Sequence, residues 1–284
     1  MPKALADSST CAIPTRVRCQ VCGPVRAGVE ARLSDLCGDE LYSAVARSLN
    51  SISATFNQGR GTMWQALFRR PAVPLHPPVR GRCGGGRHVL RSERLLLYTP
   101  LIALDVIAPT AARSDAEAQR WLGSRTEEIV QNEDAREVFL SMRADDDLSG
   151  FETRDRLMMM RKVEKPTDGV VRLTAVHVAD GRYAGATSVS LESGEIGGWL
   201  APDYRRQGLG VELFRAAVQL GHRHLGLKVV RAGAEPTNNA SRGALASAGF
   251  TPAPGPARFT LGDGREIDAT WHQHRQEATA RCRG

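Results

Sequence analysis

Between Gly194 and Phe250 the chain reads GEIGGWLAPDYRRQGLGVELFRAAVQLGHRHLGLKVVRAGAEPTNNASRGALASAGF. This order of strand, glycine turn, helix, strand and helix leaves few folds open. Residues 195–200 are short, apolar and bounded by Gly194 and Pro202, which suits a buried strand. Arg205-Arg206-Gln207-Gly208-Leu209-Gly210 follows, with two glycines spaced so that backbone amides can lie close to a bulky anion. Val211, Leu213, Phe214, Ala217, Val218 and Leu220 then recur at helical spacing, and Gly221 marks a stop. Where a glycine turn feeds a helix, unpaired N–H groups and the helix dipole favour the same ligand, an anion.

The surrounding pattern predicts a sheet with helices upon it. Residues 92–98 read as a first strand, and 101–107 as its continuation or partner. Helices are expected over 114–122, 134–142 and 154–161. The first opens on Ser114 and Glu117, which have the spacing of a capping box. The acidic triplet 145–147 reads as a solvated loop. Strands 170–178 and 183–191 flank an Asp-Gly turn, a hairpin signal. A strand at 228–234, a helix at 239–248 ended by Gly249 and an antiparallel pair, 259–261 with 267–272, complete the order. The fold class is α+β (mixed α/β), a central sheet packed by helices.

Composition limits the partners. Hydrophobic residues make up 42% of the chain, enough for a core, but no apolar run approaches the ~18 residues that span a bilayer. Residues 1–9 lack a signal-peptide pattern, so a cytoplasmic location without membrane contact is expected. The net charge of +7 is unevenly placed: residues 1–94 carry 14 Lys and Arg against 6 Asp and Glu, and residues 95–284 carry 24 against 25. Four lysines stand against 34 arginines, a bias that base composition of the coding sequence also produces. This weighs against nucleic acid as the partner of the neutral part. Cys19 and Cys22 have the spacing of half a zinc site, yet no second close pair exists, and no metal is expected. Residues 1–90 read as a basic extension with one amphipathic helix at 31–52 and a Pro/Gly linker at 69–88. The ordered domain is expected over 91–276, with a tail at 277–284.

Arg205, Gly208 and Gly210 together resemble the Arg/Gln-x-x-Gly-x-Gly/Ala loop of the GNAT superfamily of N-acetyltransferases. Residues 196–202 (IGGWLAP), 236–241 (PTNNAS) and Gly249-Phe250 resemble the branch that acetylates ribosomal-protein N-terminal amines. The four features stand in the branch's order, and a looser resemblance runs from Ser92 to about His272. It implies a GNAT acyltransferase fold and acetyl-coenzyme A as cosubstrate, with a primary amine as acceptor: a peptide or protein N-terminus, or else a small molecule such as an antibiotic or metabolite. A third possibility keeps the fold for a binding module acting through the basic N-terminal arm. The resemblance puts the pyrophosphate on backbone amides of Arg206, Gln207, Gly208, Leu209 and Gly210, next to Arg205. It puts the pantetheine arm on backbone groups of Gly198, Trp199 and Leu200, and sets Asn238 against the cofactor, with helix-start capping as its competing role. Glu195 is the expected base, with Glu192 second. The family's usual tyrosine acid has no counterpart in 244–246, so Ser241 takes that place, with N-capping as its competing role. A monomer or homodimer is expected.

Overall fold

The computed structural model describes residues 87–163 and 168–276. The expected extension, its helix, the linker through residue 86, the Cys19/Cys22 pair and the tail from 277 lie outside the described residues. Among the described residues no helix is long and apolar enough to cross a membrane.

Five strands form an antiparallel sheet in sequence order: β1 (Val89–Arg91), β2 (Leu95–Tyr98), β3 (Val170–His177), β4 (Tyr183–Ser190) and β5 (Ile196–Leu200). All four residues of β2 are buried because both sheet faces are covered. Side chains alternate along a strand. Leu95 and Leu97 therefore enter one core with Leu173, Leu209 and Leu213, while Leu96 and Tyr98 enter another with Ile107, Phe139 and Val176.

The second core is roofed by α1 (Leu104–Ala112) and α3 (Glu133–Ser141). Helix α1 corrects the expected strand at 101–107. All nine of its residues are buried, so it shows no apolar stripe, and Pro109 reads as a breaker. Proline removes the N–H that would bond to the carbonyl four residues earlier; that carbonyl, of Asp105, accepts instead from the Thr174 hydroxyl at 2.6 Å. The Asp105 carboxylate accepts from Tyr98 and Tyr183 hydroxyls at 2.7 and 3.0 Å and from the N–H groups of Leu101 and Ile102 at 2.8 and 3.1 Å.

Helix α2 (Ala116–Leu122) is capped by Asp115, which accepts from the N–H groups of Glu117 and Ala118. The expected Ser114 capping box does not form. Ser114 is buried, donating to Thr110 O at 2.7 Å and accepting from Val130 N at 2.8 Å. Helix α4 (Thr153–Met159) and the β3–β4 hairpin follow expectation.

On the other face lies α5 (Leu209–Gln219), prolonged by a π-helical turn over Leu220–His224. Next come β6 (Val229–Ala234), α6 (Asn239–Ser247) and β7 (Thr251–Ala253). The predicted strand 267–272 divides in two. β9 (Glu266–Asp268) pairs with β8 (Arg258–Thr260), and β10 (Thr270–Arg275) runs between β6 and β7. β5 and β6 touch through a single parallel bridge, Glu195 to Arg231, and belong to separate sheets.

Candidate active site

The parting of β5 from β6 opens a cleft of about 600 Å³. Its walls are β5, β6, α2, the 205–210 loop, facing residues of α5 and α6, and the β8–β9 hairpin.

At the loop, Arg206 has φ +61° and Gly208, the N-cap of α5, has φ +77°. A Cβ at Gly208 would find its nearest neighbour, Arg94 Nη2, at 3.6 Å. The left-handed backbone, not crowding within the protein, therefore selects glycine there. Among the described residues, the N–H groups of Arg206, Gln207, Gly208, Leu209 and Gly210 donate to no protein acceptor. The loop is braced from outside. Arg94 donates to Gln207 O at 2.8 Å and pairs with Glu212 at 2.6 Å, and Glu212 also accepts from Ser92 at 2.6 Å.

The Arg205 side chain is engaged by protein groups. Its guanidinium makes a two-pronged pair with Asp115 at 2.5 and 2.9 Å, reaches Glu117 at 3.2 Å and donates to Leu200 O at 3.0 Å. The side chain is spent on tying the loop to the α2 N-terminus, because two carboxylates and a strand-end carbonyl outcompete an external anion for its fork. Burial alone would raise the Asp115 carboxyl, but Arg205 and the Ala118 and Glu117 N–H groups outweigh it and hold it below its ordinary value. Arg206 and Gln207 are exposed, and Gln207 donates to Asp203 O at 2.6 Å.

β5 ends its sheet, and alternation fixes which groups it leaves open. Ser190 N bonds to Glu195 O and Ala201 N bonds to Ala184 O, so odd-numbered residues face β4 and the backbone groups of Gly198 and Leu200 face the cleft. Gly198 has no room for a side chain, since a Cβ would sit 3.0 Å from Ala186 O and 3.1 Å from Leu213 Cδ2. Trp199 sends its indole N–H to Pro109 O at 2.8 Å, under Arg113.

Glu195 is half-buried at the point where β5 and β6 part, and it lines the cleft. Burial raises its carboxyl above the ordinary value, and nearby Arg231 opposes this only in part. Glu192 is exposed and does not line the cleft. At α6, Asn238 is the N-cap and its Oδ1 accepts from Ser241 N at 3.0 Å. The cap suggested for Ser241 therefore belongs to Asn238, which leaves the Ser241 hydroxyl uncommitted to capping; both residues line the cleft. No described tyrosine does so: Tyr98 and Tyr183 bond to Asp105, and Tyr204 bonds to Asp180 at 2.8 Å. No described group of three His, Cys, Asp or Glu side chains is placed to hold a metal.

The cleft's further walls went unread in the sequence. They are Glu117, Trp121 and Leu122 of α2, Glu235, and Phe259, Leu261, Ile267 and Trp271 around the hairpin. No spacing links these positions, because elements far apart in the chain bring them together. The only available signal was the pair of tryptophans in otherwise aromatic-poor segments.

The family model described as an acetyltransferase (GNAT) domain matches residues 94–251. Solved structures similar to this chain include an acetyltransferase (GNAT family) from Bacillus anthracis, at 16% identity over 67% of this chain and 100% of that one, TM-score 0.45. Others are ribosomal-protein-S5-alanine acetyltransferase from Vibrio fischeri, at 14% over 67% and 97%, TM-score 0.45, and an acetyltransferase from Agrobacterium tumefaciens, at 18% over 70% and 100%, TM-score 0.44. No curated protein matches the chain in sequence.

Proposed function

Because the chain belongs to the GNAT acetyltransferase family and so is an enzyme that uses acetyl-coenzyme A as cosubstrate, we propose that it acetylates a primary amine, a peptide or protein N-terminus, within the β5–β6 cleft. The observation that carries this reading is the run of five unpartnered N–H groups at a helix start, set beside an open strand edge and a half-buried carboxylate. The N–H groups of a helix start converge with the positive end of the helix dipole, and a diphosphate supplies the acceptors that these groups find in no protein group.

Bound acetyl-coenzyme A supplies an activated acetyl thioester. In this reading the amides of Arg206, Gln207, Gly208, Leu209 and Gly210 hold the pyrophosphate, with Arg205 fixing the loop's shape. Gly198, Trp199 and Leu200 offer their strand to the pantetheine arm as β-augmentation, and the Asn238 side-chain N–H groups line the same path. The amine must lose a proton before it attacks, and Glu195 takes it, directly or through water; a raised carboxyl pKa brings a base closer to working pH. Ser241 relays a proton to the departing thiolate, its hydroxyl taking in exchange the proton that the attacking nitrogen releases, so that coenzyme A leaves as the thiol and the serine is unchanged.

Glu195→Gln should leave acetyl-coenzyme A affinity unchanged and lower kcat/KM by about 10²–10³. The wild-type profile should lose rate on acidification at a pH above the ordinary carboxylate range, and the variant should lack that limb. A variant profile that retains the limb removes Glu195 from the role.

A further inference from the structure

Part of the cleft's lining is apolar, supplied by Trp121 and Leu122 of α2, Phe259, Leu261 and Ile267 of the hairpin, and Trp271 of β10. Phe259 and Trp271 meet edge to face, 6.4 Å between centroids. Trp271 has already spent its N–H on Pro256 O at 2.8 Å, so it offers carbon surface. The carboxylates lining the cleft are Glu117, Glu195 and Glu235, and its lining cations are Arg205 and Arg206, both in the loop. Glu117 is paired with Arg205, so Glu195 and Glu235 are the lining carboxylates outside that pair, with Arg231 beside Glu195 and over the Trp271 ring and Arg120 over the Trp121 ring.

The two walls are also fastened to each other. Arg265 donates to Gln119 O at 2.8 Å and Arg120 O at 3.2 Å, carbonyls in the last turn of α2, and pairs with Asp263 at 2.7 Å. Gly123 sits so tightly on Leu261 that a Cβ would lie 2.6 Å from Leu261 Cβ. A fixed apolar slot binds without an ordering cost.

We propose that this apolar lining is the acceptor subsite and that it selects primary amines carrying a large apolar group next to the amine, such as an N-terminal residue with an aromatic or long aliphatic side chain. The inference rests on the amine-acetyltransferase reading given above. The apolar group lies between Trp121 and Phe259, where leaving water is favourable. The ammonium faces Glu195 and Glu235, and an acceptor with a carboxylate beside its amine meets like charge.

The test uses the full chain, acetyl-coenzyme A and three acceptors, Phe-Gly-amide, Ala-Gly-amide and Asp-Gly-amide, with thiol release as readout. Expected is a kcat/KM for the Phe acceptor at least about tenfold above Ala, with Asp lowest. Phe259→Ala and Trp121→Ala should each bring the Phe-to-Ala ratio towards one, and Phe259→Leu should keep most of it; acetyl-coenzyme A calorimetry checks that each variant is folded. Turnover with equal rates for Phe and Ala, or a preference for Asp, overturns the inference and leaves the acetyltransferase reading standing. Acetyl-coenzyme A binding with no turnover of any acceptor overturns both.

Discussion

The two faces of the five-stranded sheet treat polar groups in opposite ways. Under α1, the Asp105 carboxylate is almost fully buried and accepts four hydrogen bonds, and even the carbonyl freed by Pro109 finds Thr174. Burial and the adjacent Asp105 push the Tyr98 and Tyr183 hydroxyls well above their usual pKa, so both remain donors. On the α5 face, five consecutive backbone N–H groups donate to no described acceptor, and β5 has no neighbouring strand beyond its bridge to Arg231, its Leu200 carbonyl being taken by Arg205. An unmade hydrogen bond in a shielded place costs about 1–3 kcal/mol. One face keeps such bonds within the fold, and the other leaves them for a ligand. The difference separates what holds the protein together from what it can bind.

Removing a partner from the closed face should give the largest effect. Asp105→Ala strands two tyrosine hydroxyls and two N–H groups, and should cost on the order of 3–5 kcal/mol in urea unfolding. The folded fraction should bind acetyl-coenzyme A with unchanged affinity. A loss under 1 kcal/mol would mean that water replaces the carboxylate and that the face is not closed.

Next comes a change on the open face. Gly208→Glu puts a carboxylate among the free N–H groups at φ +77° and should weaken acetyl-coenzyme A binding by at least about 100-fold by calorimetry, about 2.7 kcal/mol. Gly208→Ala carries only the left-handed penalty of about 1–2 kcal/mol and should bind more tightly than the Glu variant. Equal binding by wild type and Gly208→Glu would show that the loop is not the anion site.

The contrast also explains which parts were legible in the sequence. The open face follows from local chemistry: Gly208 marks a left-handed N-cap, Gly249 stops α6 at φ +95°, and the Asp-Gly turn predicts the β3–β4 hairpin. The closed face depends on distant partners. Helix α1 carries no periodicity because every residue is buried, and its proline is tolerated only because Thr174, 69 positions on from Asp105, accepts the task of bonding the freed carbonyl. Ser114 shows the same limit, since its hydroxyl meets Val130 rather than its own helix. The apolar lining of the cleft was unreadable for a similar reason: Trp121 and Phe259 come to line one cleft only through the fold, with β10 running between β6 and β7.

The smallest expected effect falls where the two faces are linked, at the pair between Asp115 and Arg205. Asp115→Ala removes both an N-cap and the guanidinium's main partner and should cost about 1–2 kcal/mol. Asp115→Asn keeps a capping oxygen and loses the charge, so it isolates the ion pair and should cost less. The sign with pH follows from the depressed Asp115 pKa. A carboxyl that is more acidic folded than unfolded stabilises fully above the unfolded value, about 3.9, and that contribution fades as pH falls through the lower folded value. The urea midpoints of wild type and Asp115→Asn should therefore differ by a constant amount from pH 7 to about pH 5 and begin to converge as pH falls below about 4. Because Arg205 also holds Leu200 O at the edge of β5, the Asn variant should bind acetyl-coenzyme A slightly more weakly at pH 7, by about two- to threefold. Midpoints whose separation does not shrink at all as pH falls below about 4 would mean that the cap's geometry, not its charge, fastens the loop to α2.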